Sequence, residues 1–243
     1  MRSTVYAIED QVEDSHWWFV CRRHLFSWTL KKSRIKAKDS VLDIGIGAGG
    51  NLRMLRDLGI KSVMAVDKSE EALNYCKKKG FDNLYHGDVN MLPFSDSSFK
   101  FILATDILEH VEDDLSALVE ISRVLKKSGE VLITVPAFSC LWGLQDEVAE
   151  HKRRYLLNEI IGKIDKTGLE VTESYYFNYL LFAPILVSRF LIKVFKVKLS
   201  SENELNSPLI NLILKGIFFI DIYTAKFVKP PFGVSIFIVA KKP

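Results

Sequence analysis

Apolar positions along this chain follow two periods that alternate with each other. Short β-branched apolar runs predict strands at Ser40–Ile46 (SVLDIGI), Ser62–Asp67 (SVMAVD), Asn83–Val89 (NLYHGDV), Phe99–Leu108 (FKFILATDIL) and Glu130–Phe138 (EVLITVPAF). The fourth is almost wholly apolar, as a strand covered on both faces should be. Segments of helical period lie between them. Asn51–Gly59 and Ser69–Gly80 each stop at glycine, and Ser69 stands where an N-cap belongs. Leu115, Leu118, Val119, Ser122 and Leu125 share one stripe, which predicts a helix with Lys126 and Lys127 in its last turn and Gly129 beyond. An aromatic helix is predicted over residues 16–31. A helix near Leu156–Lys166, a strand near Leu169–Tyr175, two apolar helices and a last strand (GVSIFIVAKK) complete the order.

This alternation predicts an α/β fold: a doubly wound, Rossmann-like, mostly parallel sheet of seven strands. One domain accounts for 1–243. It divides into an N-terminal cap helix region (1–38), a cofactor-binding core (39–177), a helical insertion (178–232) and the last strand (233–243). The last strand follows a long helical insertion, so periodicity leaves its direction open.

Two apolar stretches require a membrane test. YYFNYLLFAPILVSRFLIKVF has a suitable length, but Pro184, Arg189 and Lys193 interrupt it; PLINLILKGIFFI is too short and contains Lys215. Spanning helices need about 20 mostly apolar residues. Both therefore read as helices covering a core or a substrate pocket, with peripheral contact at a membrane surface as the lesser alternative.

With 243 residues, 48% hydrophobic and 26% charged, the chain suits one elaborated domain. A net charge of +3 does not by itself imply nucleic acid. The charge is uneven, however: nine Lys/Arg face three acids between Val187 and Pro243. Such a region suits an anionic substrate or a membrane surface. Cys21, Cys76 and Cys140 form no zinc or disulfide spacing, so a cytoplasmic setting and no metal are expected. Acids among the first nineteen residues stand where a signal peptide is apolar, so export is not expected.

The candidate chemistry begins at VLDIGIGAGG. Asp43 interrupts an apolar strand, and an isolated buried carboxylate is heavily penalised unless it has partners. Glycines at 45, 47, 49 and 50 let a ligand approach the backbone. Asp67 ends the second strand, where an acid can take both ribose hydroxyls of a nucleoside. Two readings remain open. Gly45, Gly47 and Gly50 satisfy G-x-G-x-x-G, which wants a dinucleotide pyrophosphate at the helix N-terminus and suits an NAD(P)-dependent oxidoreductase or epimerase. Asp43 with Gly45, Gly47 and Gly49 satisfies D-x-G-x-G-x-G, which has a use for a carboxylate beside an ammonium and a sulfonium. Downstream, Asp88 follows the third strand, and the fourth opens into Asp106, Glu109 and His110.

Taken in order, VLDIGIGAGG, VMAVDKS, GDVNMLPF, FKFILATDILEHVEDD and LKKSGEVLITVPAF, between Val41 and Phe138, resemble the class I S-adenosylmethionine-dependent methyltransferases. The resemblance implies S-adenosylmethionine as cofactor and S-adenosylhomocysteine as product. It implies that Gly45, Gly47 and Gly49 underlie the methionine end with Asp43. It further implies that Asp67 holds the ribose beside Lys68, that Asp88 and Val89 meet the adenine, that Thr105 belongs to the cofactor site, and that Asp106, a catalytic candidate, and Leu108 pass the reacting methyl.

Two further segments resemble a branch of that family. HWWFVCRR places Trp18 and Arg22 on one helical face. By the resemblance this helix covers the cofactor, and Arg22, with Arg23 as the alternative, pairs with its carboxylate. The DExxxHxRRY arrangement begins at Asp146 and continues through His151, Arg153, Arg154 and Tyr155. It reads as a substrate loop, with His151 or His110 as candidate base, Arg153 or Arg154 as anion clamp, and Asp146 and Tyr155 beside them. A solvated helix end is the bland alternative.

The insertion favours an apolar or lipid-linked acceptor with an anionic group. A small polar metabolite ranks next. RNA ranks lower, because no basic stripe interleaves with aromatics. A methyltransferase fold serving as a non-catalytic partner subunit is the third class.

Overall fold

The computed structural model describes residues 10–195 and 207–243. Its centre is a seven-stranded sheet in the order β3-β2-β1-β4-β5-β7-β6. The strands are β1 (Ser40–Ile44), β2 (Ser62–Asp67), β3 (Leu84–His86), β4 (Phe99–Thr105), β5 (Leu125–Pro136), β6 (Glu170–Phe177) and β7 (Ser235–Lys241). β1 to β5 pair in parallel, and β7 inserts antiparallel between β5 and β6. The direction left open by periodicity is thus settled by pairing.

Helices cover both faces. They are α1 (Trp17–Lys32), α2 (Gly50–Asp57), α3 (Glu70–Lys78), α4 (Asp114–Val124), α5 (Leu144–Val148), α6 (Leu157–Asp165), α7 (Phe182–Phe195) and α8 (Pro208–Val228). Successive strand residues point to opposite faces, so each strand feeds two cores. Leu42, Ile44, Ile102, Ile133 and Ile238 meet α4 and α6 through Leu118, Ile121, Ile160 and Ile164. Val41, Phe101, Leu103, Leu132 and Phe237 meet α1 and α8 through Leu25, Phe26, Phe218 and Ile222. Phe218 is fully buried and stacks on Trp18 at 5.4 Å. Truncating such a ring costs about 3–5 kcal/mol.

Local signals behave as their chemistry requires. Ser69 Oγ accepts from the Ala72 amide at the start of α3. Gly49 caps α2 at φ +96°, and a Cβ there would meet Cys76 Sγ at 3.0 Å. Two expectations are corrected. α4 ends at Val124, and Lys126 and Lys127 belong to β5, because Leu125 pairs with Phe99 and draws the chain into the sheet. The second apolar helix runs on through Asp221 to Val228, 21 residues, which is long and apolar enough to cross a membrane by length and composition. Asp221 explains its place in the fold. The carboxylate is fully buried and accepts from the amides of Asn178 (2.6 Å) and Leu180 (2.8 Å). Burial pushes its pKa up to about 6 against these bonds. The pair of bonds ties α8 to the exit of β6. Lys196 and Lys198, counted in the basic region, lie outside the described residues.

Candidate active site

A cavity of about 400 Å³ opens at the carboxyl ends of β1 and β4. This is where ligands bind in open parallel sheets. Gly45, Ile46, Gly47 and Ala48 line one side of it. Trp17, Trp18, Arg22 and Phe26 of α1 line another, and Ile185, Arg189 and Ile192 of α7 with Leu214 of α8 a third. Asp106, Glu109, His110, His151 and Arg154 line it as well. The glycine loop and the DExxxHxRRY segment, 100 residues apart, thus share one space.

The loop is tight. Gly45 sits at φ +76°, and a Cβ there would lie 2.9 Å from Ile107 Cδ1. Asp43 is fully buried beneath it. Its Oδ1 accepts from Asn51 Nδ2 at 3.2 Å, and its Oδ2 has no partner among the described residues. Burial pushes this carboxyl up to about 7, partly opposed by the Asn51 bond. Asn51 also donates to Thr105 Oγ1 at 3.1 Å and lines the cavity. Asp43 therefore reaches the cavity only through Asn51. The orphaned buried oxygen and the bare backbone fit a cofactor that brings positive charge to the tip of β1.

Asp67 ends β2, half-buried, and accepts from the Ser69 amide at 2.8 Å. Burial raises its pKa, while the amides of Ser69, Gly47 and Ile46 oppose that shift. Asp67 thus holds the glycine loop by its amides. Asp88 accepts from the Asn90 amide (2.9 Å) and pairs with Lys68 at 3.0 Å. The Asn90 amide, with Lys68, holds its carboxyl below the usual range. Val89 and Leu108 are buried in the core beneath β4. Asp43, Gly49, Asp67, Lys68, Asp88, Val89 and Leu108 all lie outside the cavity lining, whereas Trp18, Arg22, Gly45, Gly47 and Thr105 lie within it.

Arg22 has protein partners. Its guanidinium pairs with Asp106 at 2.6 Å, donates to Thr134 Oγ1 at 3.0 Å and lies between the Trp18 and Phe26 rings. Thr134 in turn donates to Asp106 at 2.9 Å. The Arg22 Nε–H has no acceptor among the described residues. Arg23, the alternative, faces Glu13 and Asp14 instead. Asp106 adopts φ +54°, a left-handed conformation that costs a non-glycine residue about 1–3 kcal/mol and clusters at functional sites.

The other wall is a charged lattice. Asp146 is fully buried; it accepts from His151 Nδ1 (2.8 Å) and from Arg154 Nε (2.8 Å), with Arg189 at 3.6 Å. Burial opposes its ionisation, yet these donors hold it down to about 2. His110 packs edge-on to His151, ring centroids 4.7 Å apart. Burial depresses the His110 pKa to about 3. Glu109 is fully buried with both carboxylate oxygens lacking a partner from any other described residue, and burial drives its pKa well up. Two members of the expected substrate loop are corrected. Arg153 binds Asp114 and the carbonyls of Val111 and Glu112, and Tyr155 is buried with its hydroxyl on Asp114 and the Leu108 carbonyl. Both hold the loop in place away from the cavity, because alternate residues of an extended segment face opposite ways.

Several lining residues escaped the sequence reading. Asn178 is fully buried at φ +56°, with neither side-chain polar atom partnered among the described residues. Arg189 signalled itself only as a charge interrupting an apolar helix. Glu13 is almost buried, binds Arg53 and Lys79, and would meet a Cβ on Gly50 at 2.8 Å. Only Asn51, directly after the glycines, carried a usable signal.

Residues 42–133 match the family described as "Methyltransferase domain". The chain is 30% identical over 131 residues to the uncharacterized methyltransferase YcgJ of Bacillus subtilis (strain 168), covering 51% of each. It is 34% identical over 137 residues to a demethylmenaquinone methyltransferase of Staphylococcus epidermidis, covering 51% of this chain and 55% of that one. The chain spans about half the length of the curated relatives it matches. Among solved structures, a chain from the complex of the Haloferax volcanii Trm112 methyltransferase activator with a methyltransferase superposes with a TM-score of 0.64 at 21% identity, over 97% of this chain and 94% of that one. The YcgJ structure gives a TM-score of 0.57 at 19% identity over 90% and 98%. These two likenesses speak to the fold.

Proposed function

We propose that this chain, whose residues 42–133 form a class I S-adenosylmethionine-dependent methyltransferase domain, methylates a hydroxyl of an apolar, lipid-linked acceptor that carries an anionic group. One observation carries the reading: the glycine loop and the Glu109, His110 and His151 side chains line the same cavity. A donor seated on the loop and an acceptor seated on the cluster would meet there.

When bound, S-adenosylmethionine supplies a methyl group on a positively charged sulfur, already activated for displacement. Gly45 and Gly47 offer it bare backbone, Asp43 acts from beneath the loop through Asn51, and Asp67 and Asp88 stand at the ends of β2 and β3 for ribose and adenine. An incoming ribose competes with the loop amides for Asp67. The protein's main task is to hold the acceptor in line, and orientation contributes about 7–11 kcal/mol in such reactions. Asp146 takes the Nδ1–H of His151, which leaves Nε2 as the proton acceptor for a hydroxyl. General-base help of this kind is worth about 10²–10⁴-fold.

The walls support the acceptor class. Ile185, Ile192 and Leu214 offer apolar surface, Arg154 and Arg189 offer positive charge, and Asn178 offers an unpartnered amide. The outer faces of the same helices carry Phe190, Leu191, Val194, Leu209, Leu212, Ile213 and Phe227 in solvent. Exposed apolar side chains in such number suit a membrane or partner contact. Lys215 and Lys229 on and just after α8 complement an anionic lipid surface. The acceptor pocket would then open beside its own supply.

The test is transfer from methyl-labelled S-adenosylmethionine to extracted lipids, followed by mass spectrometry of the labelled product. Label in an anionic lipid supports the reading. Calorimetry that shows NAD(P) binding and no S-adenosylmethionine binding rejects it in favour of the dinucleotide alternative.

A further inference from the structure

Glu109 is the unexplained residue of the site. The neighbouring carboxylates have partners: half-buried Asp106 has Arg22 and Thr134, and buried Asp146 has His151 and Arg154. Glu109 is fully buried, and no other described residue donates to either oxygen. A buried carboxylate normally has a cation or several donors, since desolvation is otherwise uncompensated. It stands in the short helical turn Leu108–His110, whose backbone is fixed by the Lys152 amide donating to the Glu109 carbonyl. The orphaned group is therefore held rather than loosely placed.

Beside it stand two imidazoles. One ligand-capable atom from each of Glu109, His110 and His151 lies within 4.8 Å of the others. His151 Nε2 is 4.0 Å from Glu109 Oε1. Each ring is oriented from behind: Asp146 receives the Nδ1–H of His151, and the Ala149 carbonyl meets the His110 ring. That is the arrangement in which a histidine presents its free nitrogen to a metal, a carboxylate or carbonyl taking the other N–H. Two imidazoles and one carboxylate suit a divalent first-row ion and leave coordination positions open.

From this geometry we infer that Glu109, His110 and His151 form a binding site for one divalent transition-metal ion, whose open positions face the cavity and take an acceptor oxygen. The inference rests on the methyltransferase reading for its consequence but not for its test. It changes the part played by His151, which becomes a ligand instead of a base. A hydroxyl coordinated to the ion loses its proton to water near neutral pH, as metal-bound water does. The oxygen lone pair then forms the bond to the methyl carbon, and the carbon–sulfur bond breaks with its electron pair going to sulfur. The ion supplies no electrons and is not consumed.

The experiment uses the full chain, free of any affinity tag and stripped with chelator. Co²⁺ is titrated in and its visible ligand-field bands are followed, with Zn²⁺ as competitor. One saturable equivalent is expected. His110→Ala and His151→Ala should each weaken binding by about tenfold or more, as should Glu109→Gln, which keeps the side chain's shape. His24→Ala and His86→Ala, both at exposed positions, should leave it unchanged. If Glu109→Gln fails to fold, the two histidine variants decide. Absence of saturable binding, or binding that none of the three variants changes, overturns the inference. S-adenosylmethionine calorimetry on the same stripped protein separates the two failures. Cofactor binding without metal binding removes the ion alone, and loss of both removes the methyltransferase reading with it.

Discussion

The two walls of the cavity are built by different means. The donor wall is local: β1, the glycine loop and the start of α2 follow one another within Ser40–Asp57. The acceptor wall is assembled from α1, the turn at Leu108–His110, the segment around His151, and helices α7 and α8. The donor wall depends on what is missing, namely side chains on glycine. The acceptor wall depends on what is paired, namely Asp106 with Arg22 and Asp146 with His151 and Arg154. Backbone space is unforgiving, whereas paired charges can be weakened by degrees.

Substitutions should expose that difference, the largest effect coming from the donor wall. Gly45→Val puts a β-branched residue at φ +76° and a Cβ 2.9 Å from Ile107. Strain and overlap together should cost about 4 kcal/mol, or roughly a thousandfold in the S-adenosylmethionine dissociation constant by calorimetry. Retained affinity would mean the loop does not carry the cofactor.

Asp43 should make the donor wall sensitive to pH. Its folded pKa is raised by burial from 3.8 to about 7. The folded state therefore holds the proton more tightly than the unfolded chain. This contribution is full below about pH 4 and is lost as pH rises through about 7, on the order of 4 kcal/mol. Asp43→Asn should flatten that decline in cofactor-free thermal melts, and an unchanged melting profile from pH 4 to 8 would show that Asp43 is not the titrating group.

On the acceptor wall, Asp146→Asn leaves the shape and removes the charge that orients His151. Turnover should fall by about 10²-fold with a shifted pH profile, and cofactor affinity should change by less than about twofold. An equal loss in both would mean that the two walls are not separable.

The smallest effect belongs to the outer helices. Phe190→Glu with Phe227→Glu should alter folding stability by less than about 0.5 kcal/mol, since both side chains are solvent-exposed. Sedimentation with anionic vesicles should fall several-fold. Unchanged sedimentation would leave the apolar faces without a lipid role.

The donor wall was legible because its causes are short-range. Alternating apolar residues, a serine cap and a run of glycines each act over a few positions, so Ser69, Gly45 and the bounds of β2 could be placed from the chain alone. The RRY segment shows the limit. Arg153, Arg154 and Tyr155 are neighbours in sequence, yet Arg154 faces the cavity while the other two hold Asp114 on its far side. Arg22 was marked as cationic and near the cofactor, but the Asp106 and Thr134 that engage it are 84 and 112 positions away.

By itself the sequence determined the order of the strands and of the helices other than α5, the glycine turn after β1 and the acids at the ends of β2 and β3. These depend on backbone conformation and on periods of two and 3.6 residues, which adjacent side chains dictate. Only the tertiary structure decided that β7 runs antiparallel between β5 and β6, that Asp221 pins a mostly apolar helix, and that Glu109, beside two oriented histidines, has no hydrogen-bond donor from another described residue. Each of these depends on which distant groups share a low-dielectric interior. Burial sets the cost of a charge, and no local pattern records who its neighbours will be.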